Sequence, residues 1–264
     1  MRLGFLQIYN DVQWASVNIS QTMKLCDKLL IIEGSQFAAF PEIPERSNDG
    51  TLDIITDKIK EYPNRITLLP TTRKHKNYRQ NQCDNFNLAL TYCKNGDYLI
   101  PTDADKILFE ESVTILSDLM KEEHVETIKF FGLHFAFSFN WQYIENDNPK
   151  MRDYIYKKIP GFHFEPTHKH INNGSERIVL DGIHFHHYKW LKSTQRLRNR
   201  FKTSGFVGGM LNWFDNNWEN IQLNDKPQKF CIGKLQLKSY DGPHPIILND
   251  HLYRNITDVR ELYK

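Results

Sequence analysis

Apolar residues along the first third of the chain fall into two patterns that take turns. "LGFLQIYN" (residues 3–10) is a short apolar run, "VQWASVNISQTMKLC" (12–26) carries Val12, Ala15, Ile19, Met23 and Cys26 at helical spacing, and "KLLIIEGS" (28–35) is a second continuous run stopped by Gly34. Strand, helix and strand are the expected elements. "LDIITDKIKEY" (52–62) predicts a helix and "RITLLP" (65–70) a third strand. "NQCDNFNLALTYCKNG" (81–96) predicts another helix, ended by Asn95 and Gly96, and "DYLIPT" (97–102) a further strand. A helix over 106–123 and a long strand, "TIKFFGLHFAFSF" (127–139), follow. Continuous apolar strands, in contrast to alternating ones, are what a parallel sheet covered on both faces requires. The expected fold class is therefore α/β, a Rossmann-like, mostly parallel sheet flanked by helices.

Beyond residue 140 the rhythm loosens into aromatic, His-rich and Pro-bearing segments that suit a C-terminal α+β region: "YIYKKIP", "HFEPTHKHI" and "RIVLDGIHFHHY". Residues 189–202, "KWLKSTQRLRNRFK", predict a basic amphipathic helix with Trp190, Leu191, Thr194, Leu197 and Phe201 on one face. The chain is expected to be one domain over 1–264: a sheet-building half (1–125), a looser half (126–205) and a C-terminal wrap (206–264).

Composition narrows the function classes. A net charge of +2 argues against a nucleic-acid partner held by phosphate neutralisation. No run approaches the ~18 apolar residues of a membrane span, and the N-terminus lacks a leader-like apolar stretch, so a cytoplasmic chain is expected. The basic helix offers one face for peripheral membrane contact or for an anionic leaving group, although a basic helix face is usually simply solvated. Cys26, Cys83, Cys93 and Cys231 have no C-x-x-C spacing and read as buried thiols.

The chemistry-bearing feature is "YLIPTDAD" (98–105). An apolar strand there ends on Asp103 and Asp105, and ligands of open parallel sheets bind at the C-terminal ends of strands. Carboxylates spaced i, i+2 can reach one hard cation that keeps open positions for phosphate oxygens. Capping of the next helix is the plain alternative.

"GDYLIPTDAD" resembles the D-x-D segment of nucleotide-sugar glycosyltransferases of the GT-A fold, most like those of family 2. "HFHHYKWLKS" (184–193) and "YDGPHPIIL" (240–248) resemble later elements of that family. The resemblance implies a GT-A type sheet, with 1–125 binding the nucleotide-sugar and 126–205 facing the acceptor. It further implies Mn²⁺ or Mg²⁺ on Asp103, Asp105 and a histidine, His187. A UDP- or GDP-sugar would be the donor, and a glycan or lipid-linked hydroxyl the acceptor. Tyr9, Asn10 and Asp11 after the first strand, Glu33 and Ser35 after the second, and Arg79 and Asp103 would frame the nucleotide. "IIEGS" puts Glu33 where many members carry Asp, and the usual Glu-Asp pair holding the catalytic base has no clear counterpart. Glu165, ahead of Pro166, and Asp181, ahead of Gly182, are the candidate bases. Two other classes stay open: a sugar nucleotidyltransferase, disfavoured by the absence of a Gly-rich basic loop after the first strand, and a degenerate domain that only binds glycans.

Overall fold

In a computed structural model, residues 1–37, 40–145, 150–166, 170–171, 177–203, 210–230 and 233–263 are described. The N-terminal part runs β1 (Arg2–Ile8), α1 (Val12–Leu25), β2 (Lys28–Glu33), α2 (Thr51–Glu61), β3 (Ile66–Pro70), α3 (Tyr78–Thr91) and β4 (Tyr98–Asp103). Next come β5 (Lys106–Leu108), α4 (Glu110–Leu119), β6 (Thr127–Ala136), β7 (Trp141–Glu145) and β8 (Lys150–Lys157). A two-stranded ribbon, β9 (His163–Phe164) and β10 (His170–Ile171), precedes the long β11 (Arg177–Trp190). Helices α5 (Thr194–Thr203) and α6 (Met210–Asn217) and strands β12 (Gln228–Phe230) and β13 (Gly233–Ser239) lead to the C-terminal segment.

Among the described residues eleven strands form one sheet, in the order β12-β13-β7-β6-β8-β4-β1-β2-β3, with β11 beside β6 and β5 beside β11. Strands β3, β2, β1 and β4 pair in parallel; β8 runs against β4 and β6, and β11 is parallel to β6. The α/β expectation holds, with the central strands running in one sense and helices covering them. The reason lies in the alternation of side chains along each strand. Leu6, Ile8, Leu29, Ile31 and Ile100 pack into a core shared with α1 and with Leu116 of α4. Leu3, Phe5, Leu30, Ile32 and Leu99 face the other way, onto Ala89 and Leu90 of α3. Both faces are dry, which is why these strands read as unbroken apolar runs. A third cluster, with Trp190, Leu197, Phe201, Phe214 and Trp218, joins α5 and α6 to the far part of the sheet.

Several boundaries differ from expectation. Lys106–Leu108 is a short strand paired with β11, so the helix read as 106–123 begins only at Glu110. Strand β11 extends to Trp190, and the basic helix starts at Thr194 instead of 189. Two basic side chains of the segment turn inward: Lys192, just before the helix, is 3% exposed, and Arg196 donates to the carbonyls of Tyr9 (2.7 Å) and Asn10 (2.8 Å). Arg198 pairs with Asp215 at 2.8 Å. Lys192 and Arg196 turn to the interior, whereas Arg198 and its partner Asp215 stay exposed, as a solvated stripe would be. Among the described residues no helix is long and apolar enough to cross a membrane.

Candidate active site

The C-terminal ends of β1 and β4 open into a cleft of about 340 Å³. One wall is α3, whose Arg79, Gln82, Cys83 and Phe86 recur at helical spacing and line the cleft together. Asn77 caps this helix by accepting from the Arg79 N–H at 2.9 Å, and no acidic residue occupies its first turn. The helix therefore offers the cleft the positive end of its dipole. Glu165 and Pro166 close another side, and Tyr154 and Phe164 supply aromatic surface.

At the floor lies the D-x-D turn, held from α1 by polar residues on the helix's buried side. The Asn18 carboxamide, 1% exposed, donates to Thr102 Oγ1 (3.2 Å) and to the carbonyls of Asp103 (2.9 Å) and Lys106 (3.0 Å). One turn on, Gln21 exchanges two hydrogen bonds with the Leu108 backbone, at 2.6 and 2.7 Å. The Tyr188 N–H donates to the Asp105 carbonyl at 2.8 Å, tying the turn to β11 as well. Two elements, α1 and β11, thus hold the turn that carries the two carboxylates.

They point into different surroundings. The Asp103 side chain is 53% exposed and lines the cleft, with the Lys106 ammonium at 2.8 Å. That ammonium also reaches Asp153 Oδ2, on β8, at 3.1 Å, and all three residues line the cleft. Burial outweighs Lys106 at Asp153 and holds its carboxyl above the usual range. Asp105 is 3% exposed. His187 Nε2 lies 3.2 Å from its Oδ1 and Lys192 Nζ 2.9 Å from its Oδ2, and Lys192 bridges onward to Asp11. Burial works to raise the Asp105 pKa, but Lys192 and then His187 prevail and hold it well below the ordinary value. His187 itself is lowered by burial, so a neutral imidazole donating to Asp105 is the stable form at neutral pH.

Of the residues singled out from the sequence, Asp103, Arg79 and Glu165 come together in the cleft lining. Asp105 and His187 meet each other underneath. Tyr9, Asn10, Asp11, Glu33 and Ser35 cluster around the neighbouring strand ends, outside that lining. Glu33 is fully buried, accepting from the Ser47 N–H at 2.7 Å and pairing with Arg46. Ser47 accepts in turn from the Asn10 N–H at 2.8 Å, and Ser35 accepts from the Phe37 N–H at 3.3 Å. Asp181 lies within β11, with only its backbone described. Lys106, Asp153 and Asn18 escaped the sequence reading. Asn18 had a legible signal, a carboxamide in register with Trp14, Thr22 and Leu25 on the buried face of α1.

Among the described residues no group of three His, Cys, Asp or Glu side chains is arranged to hold a metal ion. Asp105 is engaged by His187 and by Lys192. The cleft carboxylates, Asp103 and Asp153, fit a different pattern, in which one or two carboxylates hold a cation that takes its other ligands from phosphate oxygens and water.

Strand order and cleft together define an α/β protein with a mixed-charge cleft at the carboxyl edge of its parallel strands. No protein-family model matches the chain and no curated protein does. Among solved structures it is similar to S. aureus TarS 1–349, a glycosyltransferase, at 12% sequence identity and a TM-score of 0.45, over 81% of this chain and 68% of that one. At that distance the likeness adds no chemistry to the cleft.

Proposed function

We propose that this chain transfers a sugar from a nucleoside-diphosphate donor to an acceptor hydroxyl on a glycan or a lipid-linked glycan. The observation that carries the reading is the convergence of Asp103, Lys106, Arg79 and Glu165 on one cleft at the carboxyl ends of β1 and β4. Arg79 and the start of α3 suit the diphosphate, which leaves with the growing negative charge. Asn18 keeps the Asp103 turn aimed, so little reorganisation is needed when the substrate arrives. In an inverting transfer Glu165, held extended by Pro166, takes the proton of the acceptor hydroxyl. Asp181 is the second candidate for that role.

Charge supports a divalent cation. The cleft holds Arg79 and Lys106 against Asp103, Asp153 and Glu165, one more negative than positive, and a diphosphate adds more negative charge. Mn²⁺ or Mg²⁺, held by Asp103 with Asp153, would supply the missing positive charge and stabilise the leaving group. Tyr9, Asn10, Asp11, Glu33 and Ser35 would shape the nucleoside end through the loop that Glu33 and Ser47 hold.

The test is calorimetric binding of UDP and of GDP, each with Mn²⁺ and with chelator, to the wild type and to Asp103→Asn. Metal-assisted binding of one nucleotide, weakened about tenfold or more in the variant, is expected. Absence of binding under every condition would remove the transferase reading and leave a glycan-binding domain.

A further inference from the structure

A second cavity, of about 580 Å³, opens between the start of α4, the middle of β6 and the segment 240–246, and none of its lining residues lines the cleft. Its size falls within the range of ~300–1,000 Å³ typical of small-molecule sites. Phe109, Ile115, Phe131, Leu133 and Ile246 make the walls apolar. The walls are also braced. Both oxygens of the Glu110 carboxylate accept backbone N–H groups, from Ile246 at 3.2 Å and Ile247 at 3.1 Å, and so clamp the C-terminal segment onto α4. Gly132 is required here, because a Cβ at that position would stand 2.5 Å from the Phe185 carbonyl.

The polar groups gather at one side. Tyr188 Oη lies 2.9 Å from His244 Nδ1 and 3.2 Å from His186 Nδ1, with the two imidazole nitrogens 3.1 Å apart. His186 is 1% exposed, and its other nitrogen, Nε2, stands 3.4 Å from Tyr240 Oη, whose proton goes to the Pro243 carbonyl at 2.9 Å. His186, His244 and Tyr240 all line the cavity.

We infer that this cavity is a binding site for an uncharged, largely apolar molecule bearing a hydroxyl group. Both neutral tautomers of His186 fit its contacts with the Tyr188 and Tyr240 hydroxyls, and Nε2 carries a hydrogen in one and offers a lone pair in the other. A hydroxyl satisfies both states; a carboxylate or an ammonium satisfies one. Among the described residues the lining contains Glu110 and Glu111 and no lysine or arginine, so an anionic head group finds no cationic partner in it. Burial holds His244 down at about 4, which leaves that imidazole uncharged at neutral pH and without attraction for an anion. A sugar would leave most of its hydroxyls facing apolar wall without partners. This inference stands apart from the transferase reading.

The full-length chain is titrated with N-phenyl-1-naphthylamine, a neutral fluorescent probe, and the bound probe is then competed with 1-octanol and with octanoate. Saturable probe binding is expected, with octanol displacing the probe about tenfold more effectively than octanoate. Leu133→Trp, which fills the cavity, should abolish the probe signal while thermal unfolding confirms a folded protein. If that variant does not fold, Ile115→Trp, on the rim of the cavity, carries the same expectation. Tyr240→Phe should weaken octanol severalfold and leave the probe unaffected. No saturable signal, equal competition by octanoate, or unchanged probe binding in the folded tryptophan variants would each overturn the inference.

Discussion

A single carboxamide decides how the D-x-D turn is presented. Asn18 serves Thr102, Asp103 and Lys106 at once from a fully buried position, so Asn18→Leu, close in volume, leaves three acceptors short of a donor. A loss of about 1–3 kcal/mol in urea unfolding is expected, together with weaker nucleotide binding as Asp103 loses its aim. Gly132 is a second point of no tolerance. Its missing side chain lets Phe185 lie against β6, and Gly132→Ala is expected to lower stability by about 1–3 kcal/mol, read from the denaturant midpoint. At this scale the sequence was half legible. Asp103 announced itself by standing at the end of an apolar strand. Asp153 did not, since its link to Asp103 runs through Lys106 across almost fifty residues and depends on β8 inserting beside β4.

Among elements, the first four strands and three helices were readable because each buries two dry faces or one apolar stripe, a demand that local pattern expresses directly. The basic helix was misplaced for a physical reason. Lys192, just before it, and Arg196, in its first turn, reach Asp11 and Asp105 in distant segments of the chain, and no local pattern records that. Lys192 sits between Asp11, at the start of α1, and Asp105, after β4, and so joins three separate segments. Replacing it by methionine removes the cation between two buried carboxylates, leaving Asp11 to Arg196 at 3.5 Å and Asp105 to the His187 imidazole at 3.2 Å, and a loss of about 3–5 kcal/mol is expected. Pairing Lys192→Met with Asp105→Asn should restore part of that loss in a double-mutant cycle, which measures the coupling directly.

For the molecule as a whole, the buried imidazoles set the response to acid. An unfolded histidine takes up a proton near its ordinary 6.5, whereas burial holds His244 at about 4 and His134 at about 2 in the folded state. Between those values the unfolded chain binds more protons, so folding stability falls as pH drops below about 6.5. The thermal midpoint should decline steadily from pH 7 to pH 4. His244→Gln should flatten part of that slope, and an unchanged slope would assign it to other groups.

The Asp11–Lys192–Asp105 chain has a further consequence, for ionic strength. At physiological salt the Debye length is about 8 Å, and mobile ions weaken only charges they can approach. Lys192 and Asp105 are each 3% exposed and lie out of their reach, whereas Asp103 is half exposed at the cleft. Sodium chloride should therefore compete with an anionic guest at the cleft while leaving the internal junction of α1, β4 and β11 intact. Affinity for an anionic guest and cohesion of the fold should thus respond differently to salt.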